Sequence, residues 1–204
     1  MRPDLLLRGL TRALLTVAPL AALVFSSGCG GDEYATVSAK ARVNAKSGSV
    51  WGRDLANGLG LQEWELCSEL GAYDCISEAH RITLGGVEPT VLGIDEPLPN
   101  ASVSAPIAVD RVATSACGLR FDRDKTGGAA VIFGPVLKKD NDRAREEVAD
   151  TLVRRLLARE PTKAELESLV ALYDTLAPIS TDLTRDGAVG MCVIVATSTE
   201  ALFY

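Results

Sequence analysis

Histidine is almost absent: His80 is the only one in 204 residues. A metal centre built from several imidazoles is therefore excluded. The chain has no C-x-x-C-H run, which excludes the usual covalent attachment of c-type haem. Its cysteine spacings do not match paired zinc knuckles. There is no G-x-S-x-G elbow and no G-x-x-x-x-G-K phosphate loop, and Gly58-Leu59-Gly60 lacks the third glycine of a dinucleotide loop. No metal and no cofactor is expected. Aromatic residues make up only 5% of the chain, too few for an extended base-stacking platform. Basic residues are also outnumbered, 21 against 27 acidic, for a net charge of −6. Nucleic-acid binding rests on Lys and Arg neutralising phosphates, so no nucleic-acid partner is expected. The uncharged run Ala13 to Phe25 is 13 residues long, short of the roughly 20 that a membrane-spanning helix needs.

That run does have the length of a signal-peptide core. Arg2, Arg8 and Arg12 precede it, diluted only by Asp4, and the small residues Ser26, Ser27 and Gly28 follow. Residues 1–28 are thus expected to direct export and are set aside from the fold. The segment Ser26-Ser27-Gly28-Cys29 resembles the lipobox of bacterial lipoproteins, in which the cysteine is lipidated and becomes the mature N-terminus. That family usually has Leu three places before the cysteine, where this chain has Ser26. The resemblance implies a lipid on Cys29 that holds the protein to a membrane without a spanning helix. The alternative is an ordinary signal peptide cut near Gly28, with Cys29 a plain thiol or a disulfide partner. By resemblance to enteric lipoprotein sorting, Gly30 after the anchor favours the outer membrane. The expected location is periplasm-facing or on the cell surface.

Without residues 1–28 the chain has 176 residues, with 18 basic and 26 acidic side chains and a net charge of −8. That length suits one domain. Cys67, Cys75, Cys117 and Cys192 remain after the anchor, and an even number in an oxidising compartment predicts two disulfides. Of three pairings, Cys67 with Cys75 and Cys117 with Cys192 are preferred; four buried thiols are the alternative.

The predicted fold is mainly α, about five helices with one long Gly/Pro-rich loop. Residues 29–50 lack an apolar period and read as a tether, leaving 51–204 as a single helical domain. Leu55, Leu59, Trp64 and Cys67 suggest one helical face, although Gly58 and Gly60 weaken it. Residues 82–104 are broken by Gly85, Gly86, Pro89, Gly93, Pro97 and Pro99, a binding loop or else a cover over the core. Ser104 is an N-cap candidate, and Pro106 suits the first turn of a helix running to about Leu119. The firmest element is an antiparallel helix pair over residues 142–177. Ala144, Val148, Leu152 and Leu156 recur at helical spacing, Pro161 interrupts, and Thr162 with Glu165 forms a capping-box signal. Residues 188–197 fit either a buried strand or a central helix; length favours the helix, with Leu202, Phe203 and Tyr204 docked.

Catalytic candidates are few. His80 can act as an acid or base beside Glu78 or Asp110, though a lone histidine followed by Arg81 more often has a structural role. Glu146, Glu147 and Asp150 offer carboxylates, but on the polar side of an amphipathic helix. Trp51 and Trp64 can stack on sugar rings; the stripe places Trp64 in the core.

Two stretches carry a further resemblance. Leu156 to Glu165, with Leu169 to Tyr173 and Ala196 to Tyr204, resembles uncharacterised planctomycete and myxobacterial domains that accompany c-type cytochrome modules. The segment His80-Arg81-Ile82-Thr83-Leu84-Gly85-Gly86-Val87-Glu88-Pro89 is similar to small myxobacterial lipoproteins of unknown function. The resemblance implies an all-helical fold in a periplasmic or surface setting, and no catalytic residue. His80, Arg81, Gly85, Gly86, Glu88 and Pro89 are the candidate functional loop. The expected function is a lipid-anchored accessory or binding protein of the cell envelope, with the membrane and envelope proteins as partners. The alternative is a small envelope hydrolase using His80 with a carboxylate.

Overall fold

A computed structural model describes residues 44–97, 102–127 and 129–204. The expected signal segment, Cys29 and most of the expected tether lie outside the described residues. The fold is mainly helical, and no helix among the described residues is long and apolar enough to cross a membrane.

The first helix, α1 (Gly48–Leu59), buries Trp51, Leu55, Ala56 and Leu59. Gly58 sits in it because α1 crosses the later pair closely: a Cβ there meets Leu156 Cδ2 at 2.5 Å. Gly60 ends α1 in the left-handed region at φ 64°, which glycine adopts without a Cβ penalty. That cap overturns the expectation for Trp64. Beyond it the helical register is lost, residues Glu63–Glu65 form a single 3-10 turn, and Trp64 is 72% exposed. Leu61 and Leu66 are buried instead, and Trp51 is the core tryptophan, its Nε1 donating to the Ala196 carbonyl at 3.1 Å.

Two short strands follow, β1 (Ser68–Glu69) and β2 (Tyr73–Asp74), paired antiparallel. A π-helical turn, Cys75–Ala79, starts at Asp74, whose carboxylate accepts from the amides of Ile76 and Ser77. The stretch after it folds as turns, with Leu84 buried and an isolated bridge between Glu88 and Ile94.

Helix α2 (Ala105–Thr126) runs a further two turns beyond the predicted end. Phe121 and the buried pair Arg120–Asp124 keep its inner face occupied. Ser104 does not cap it by side chain as expected; its hydroxyl pairs with that of Ser102 at 2.8 Å. After the short α3 (Gly134–Lys138) comes the antiparallel pair α4 (Asp142–Leu157) and α5 (Lys163–Leu176). The capping box is formed: Thr162 Oγ1 accepts from the Glu165 amide and Glu165 Oε2 from the Thr162 amide. The Arg159 guanidinium, then the Thr162 amide and hydroxyl, hold the Glu165 carboxyl down at about 2.

Helix α6 (Leu183–Ala196) packs against α2, α4 and α5. Neighbours on several sides suit its apolar run from residue 187 to 196, and residues 188–196 are helix, not strand. The final turn α7 (Thr199–Leu202) carries the chain back to residues 44–46: Tyr204 donates its amide to the Asn44 carbonyl and Lys46 to that of Leu202. The end is thus docked by backbone, with the Phe203 and Tyr204 side chains facing solvent. Residues 44–50 accordingly belong to the folded unit rather than to a tether ending at residue 50.

Gly187 on α6 lies against the ring of the buried Tyr173, where a Cβ meets ring carbons at 2.4–2.7 Å. The ring cannot retreat, because the Arg145 guanidinium stacks 4.1 Å from its centre. Gly187→Ala gains about 1 kcal/mol of helix propensity but forces this contact apart. The overpacking dominates, and a net loss of about 2 kcal/mol is expected. Urea unfolding checks it; a midpoint at or above that of the parent protein contradicts the packing described.

Candidate functional site

Of the six predicted loop residues, Arg81, Gly86 and Glu88 bond to one another, while His80 and Gly85 bond to other residues of the same turns. His80 closes the π turn; Arg81 donates from Nε to the Ser77 carbonyl and from Nη1 to Glu88 Oε2, each at 2.5 Å. Thr90 also donates to Glu88, and this bond, with Arg81 nearby, holds the Glu88 carboxyl below its ordinary range. Gly86 lies under Arg81, with a Cβ there meeting Arg81 Cγ at 2.7 Å, while Gly85 takes a positive φ of 80°. Pro89 is exposed. These residues are a hydrogen-bonded knot that shapes the loop.

The His80 partner differs from both candidates. Its Nε2 lies 3.1 Å from Glu69 Oε1, because the β1–β2 hairpin folds Glu69 back towards the π turn. Glu78 instead accepts from the Asp74 amide at 2.7 Å, and Asp110 is an exposed residue of α2. Arg111 joins the same carboxylate, with Nε 2.5 Å from Oε1 and Nη2 donating to Oε2 at 2.7 Å. Glu69 thus faces the His80 imidazole while both of its oxygens are engaged by the Arg111 guanidinium. Glu146 and Glu147 are exposed, and Asp150 is paired with Arg154.

The two disulfides are Cys67–Cys75 and Cys117–Cys192, with Cα–Cα distances of 5.5 and 5.9 Å. The first staples the hairpin beneath Glu69. The second joins α2 to α6.

A groove of about 540 Å³ opens beside the knot. It is lined by Gly48, Gly52, Ile76 and Val87, with Trp64, largely exposed, on its border. The charged groups bordering it are already engaged: Glu63 with Arg53, Arg81 with Glu88, and Asp74 with the turn it caps. A second groove of about 610 Å³ shares Ser47 and Gly48 and is lined by Trp51, Leu84, Pro106 and Phe203. His80 lines neither. Apolar concavities with a few fixed polar groups suit binding. Bond-making would need an acid or base aimed into the space, and among the described residues these grooves present none that is uncommitted.

Sequence reasoning missed Glu69, Arg111 and the exposure of Trp64. The signal for the last was present: Trp64 lies between Glu63 and Glu65, just past a glycine that ends a helix. The chain matches no protein-family model, and comparison with curated proteins and with solved structures finds no match.

Proposed function

We propose that this chain is a lipid-anchored accessory or binding protein of the bacterial cell envelope. In this reading residues 1–28 direct export, a lipid on Cys29 fixes the protein to the membrane, and the groove beside Trp64 receives an envelope protein partner. The observation that carries it is Trp64, a large aromatic 72% exposed at the rim of an apolar groove without free catalytic groups. Tryptophan is among the residues most enriched at binding hot spots. Support also comes from the loop region, where Val91 is 80% and Val103 99% exposed; exposed apolar surface marks interaction sites.

A photo-cross-linking residue at Ser77, inside the groove, is expected to capture a defined protein in intact cells, whereas one at Asp174 on exposed α5 is not. Trp64→Ala is expected to lower that capture at least tenfold and leave the unfolding midpoint unchanged, because Trp64 contributes little to the core. Equal capture from both positions, or capture indifferent to Trp64, rules the reading out. The hydrolase reading has one favourable observation, the 3.1 Å contact of His80 with Glu69. It is the weaker because Arg111 occupies the same carboxylate and neither groove reaches His80.

A further inference from the structure

The β1–β2 hairpin assembles a set of side chains that lines neither groove and carries a chemistry of its own. The sulfurs of Cys67 and Cys75 and a carboxylate oxygen of Glu69 all lie within 4.8 Å of one another. In the disulfide both sulfurs are covalently committed and offer a metal nothing. Reduced, they become two thiolates on Cα atoms 5.5 Å apart. Two thiolates on one tetrahedral zinc sit roughly 3.8 Å apart, given Zn–S bonds of about 2.3 Å, a separation this Cα spacing accommodates by side-chain rotation.

The surroundings complete the arrangement. His80, the chain's only histidine, lies 3.1 Å from Glu69 Oε1 and can orient that carboxylate by hydrogen bonding. Such orienting partners are characteristic of metal sites. Charge also balances: two thiolates and Glu69 offset a divalent cation together with Arg111, which is already 2.5 Å from Glu69. Cys75 is fully buried and Cys67 nearly so, giving the thiolates a dry setting in which a soft cation is the natural partner.

We propose that Cys67, Cys75 and Glu69 form a redox-conditional zinc site, closed as a disulfide and opened by a dithiol reductant. A thiolate of the reductant attacks Cys67 Sγ, breaking the protein S–S bond and releasing Cys75 as thiolate. Its second thiol then attacks the mixed disulfide, releasing Cys67 as thiolate. The reductant leaves as its own disulfide, two electrons having passed to the protein and two protons to solvent, and Zn²⁺ takes both thiolates. Glu69 is the third ligand and His80 a positioning residue. Attack requires local opening of the hairpin, which has only two residues in each strand.

The test reduces the purified protein with a non-chelating phosphine and titrates Zn²⁺ against a chromogenic chelator. The expected result is one Zn²⁺ per chain in the reduced protein and none in the oxidised protein. Glu69→Gln is expected to bind at least tenfold more weakly. His80→Ala should bind about tenfold more weakly, with two sulfur ligands still seen by X-ray absorption. The Cys67→Ala/Cys75→Ala variant, which keeps Cys117–Cys192, is expected to bind none. Should that variant fail to fold, the oxidised parent protein serves as the zero. Reduced protein that takes up no more Zn²⁺ than oxidised protein overturns the proposal, as does Glu69→Gln binding as tightly as the parent.

Discussion

Replacing Cys117 and Cys192 by alanine is expected to lower the unfolding free energy by about 4.5 kcal/mol, the loop-closure value for a 75-residue separation. Both sulfurs are fully buried between α2 and α6, so removal also thins the packing at the centre of the molecule. The same replacement at Cys67 and Cys75, only 8 residues apart, is expected to cost about 2.5 kcal/mol on the same model. Guanidinium unfolding of the two variants measures both values. Their order is the informative part: a larger loss at the hairpin means that the central disulfide does not act by constraining the unfolded chain. The comparison also separates structure from chemistry, since the proposed zinc site needs the hairpin cysteines and is indifferent to the central pair.

Asp124→Ala is expected to be comparably severe, at about 4 kcal/mol. The Asp124 carboxylate has no solvent exposure and pairs with Arg120 Nη2 at 2.7 Å. It also accepts the amides of Val131, Ile132 and Phe133 at 2.8–2.9 Å. Alanine leaves Arg120 charged, buried and unpaired, and three amides lose their acceptor. Arg120 is already strained for partners: among the described residues its Nε has no hydrogen bond, and its Nη1 reaches only the Gly60 carbonyl at 3.5 Å. The double variant Arg120→Met/Asp124→Ala distinguishes the two contributions. It removes the orphan charge but not the orphan amides, so only part of the loss is expected to return. A single variant within about 1 kcal/mol of the parent shows that the 131–133 turn does not depend on this carboxylate.

The elements legible in the sequence are those in which local chemistry and packing agree. The α4–α5 pair follows from apolar spacing, an interrupting Pro161 and a Thr162–Glu165 box, and the structure forms each of them. The disulfide pairing follows a preference for one local and one long link. Trp64 is where local reading failed. A stripe drawn through Leu55, Leu59, Trp64 and Cys67 assumes an unbroken helix, and Gly60 breaks it. Residues 44–50 failed similarly: small and polar, they have no apolar period, yet backbone bonds to residues 202–204 fix them in place.

The site was less legible than the fold. The Gly/Pro-broken loop borders the groove through Arg81, Gly86 and Val87, but most of residues 80–89 bond to one another. What shapes the groove comes from separate stretches: the start of α1, the 3-10 turn, the π turn and the loop at Arg81, Gly86 and Val87. Glu69 meets His80 only because a tight hairpin reverses the chain between them, and Arg111 joins from α2, 42 residues later.

By itself, the sequence determined the helical class, the helix pair with its cap and the lack of histidines for a multi-histidine centre. Each depends on residue type or on spacing within a few turns, where rise and rotation per residue are fixed. Only the tertiary structure decided which tryptophan is buried, which carboxylate faces the histidine and where a groove opens. Those depend on contacts between residues distant in the chain, and no periodicity encodes the distance between two elements that meet only when the core closes.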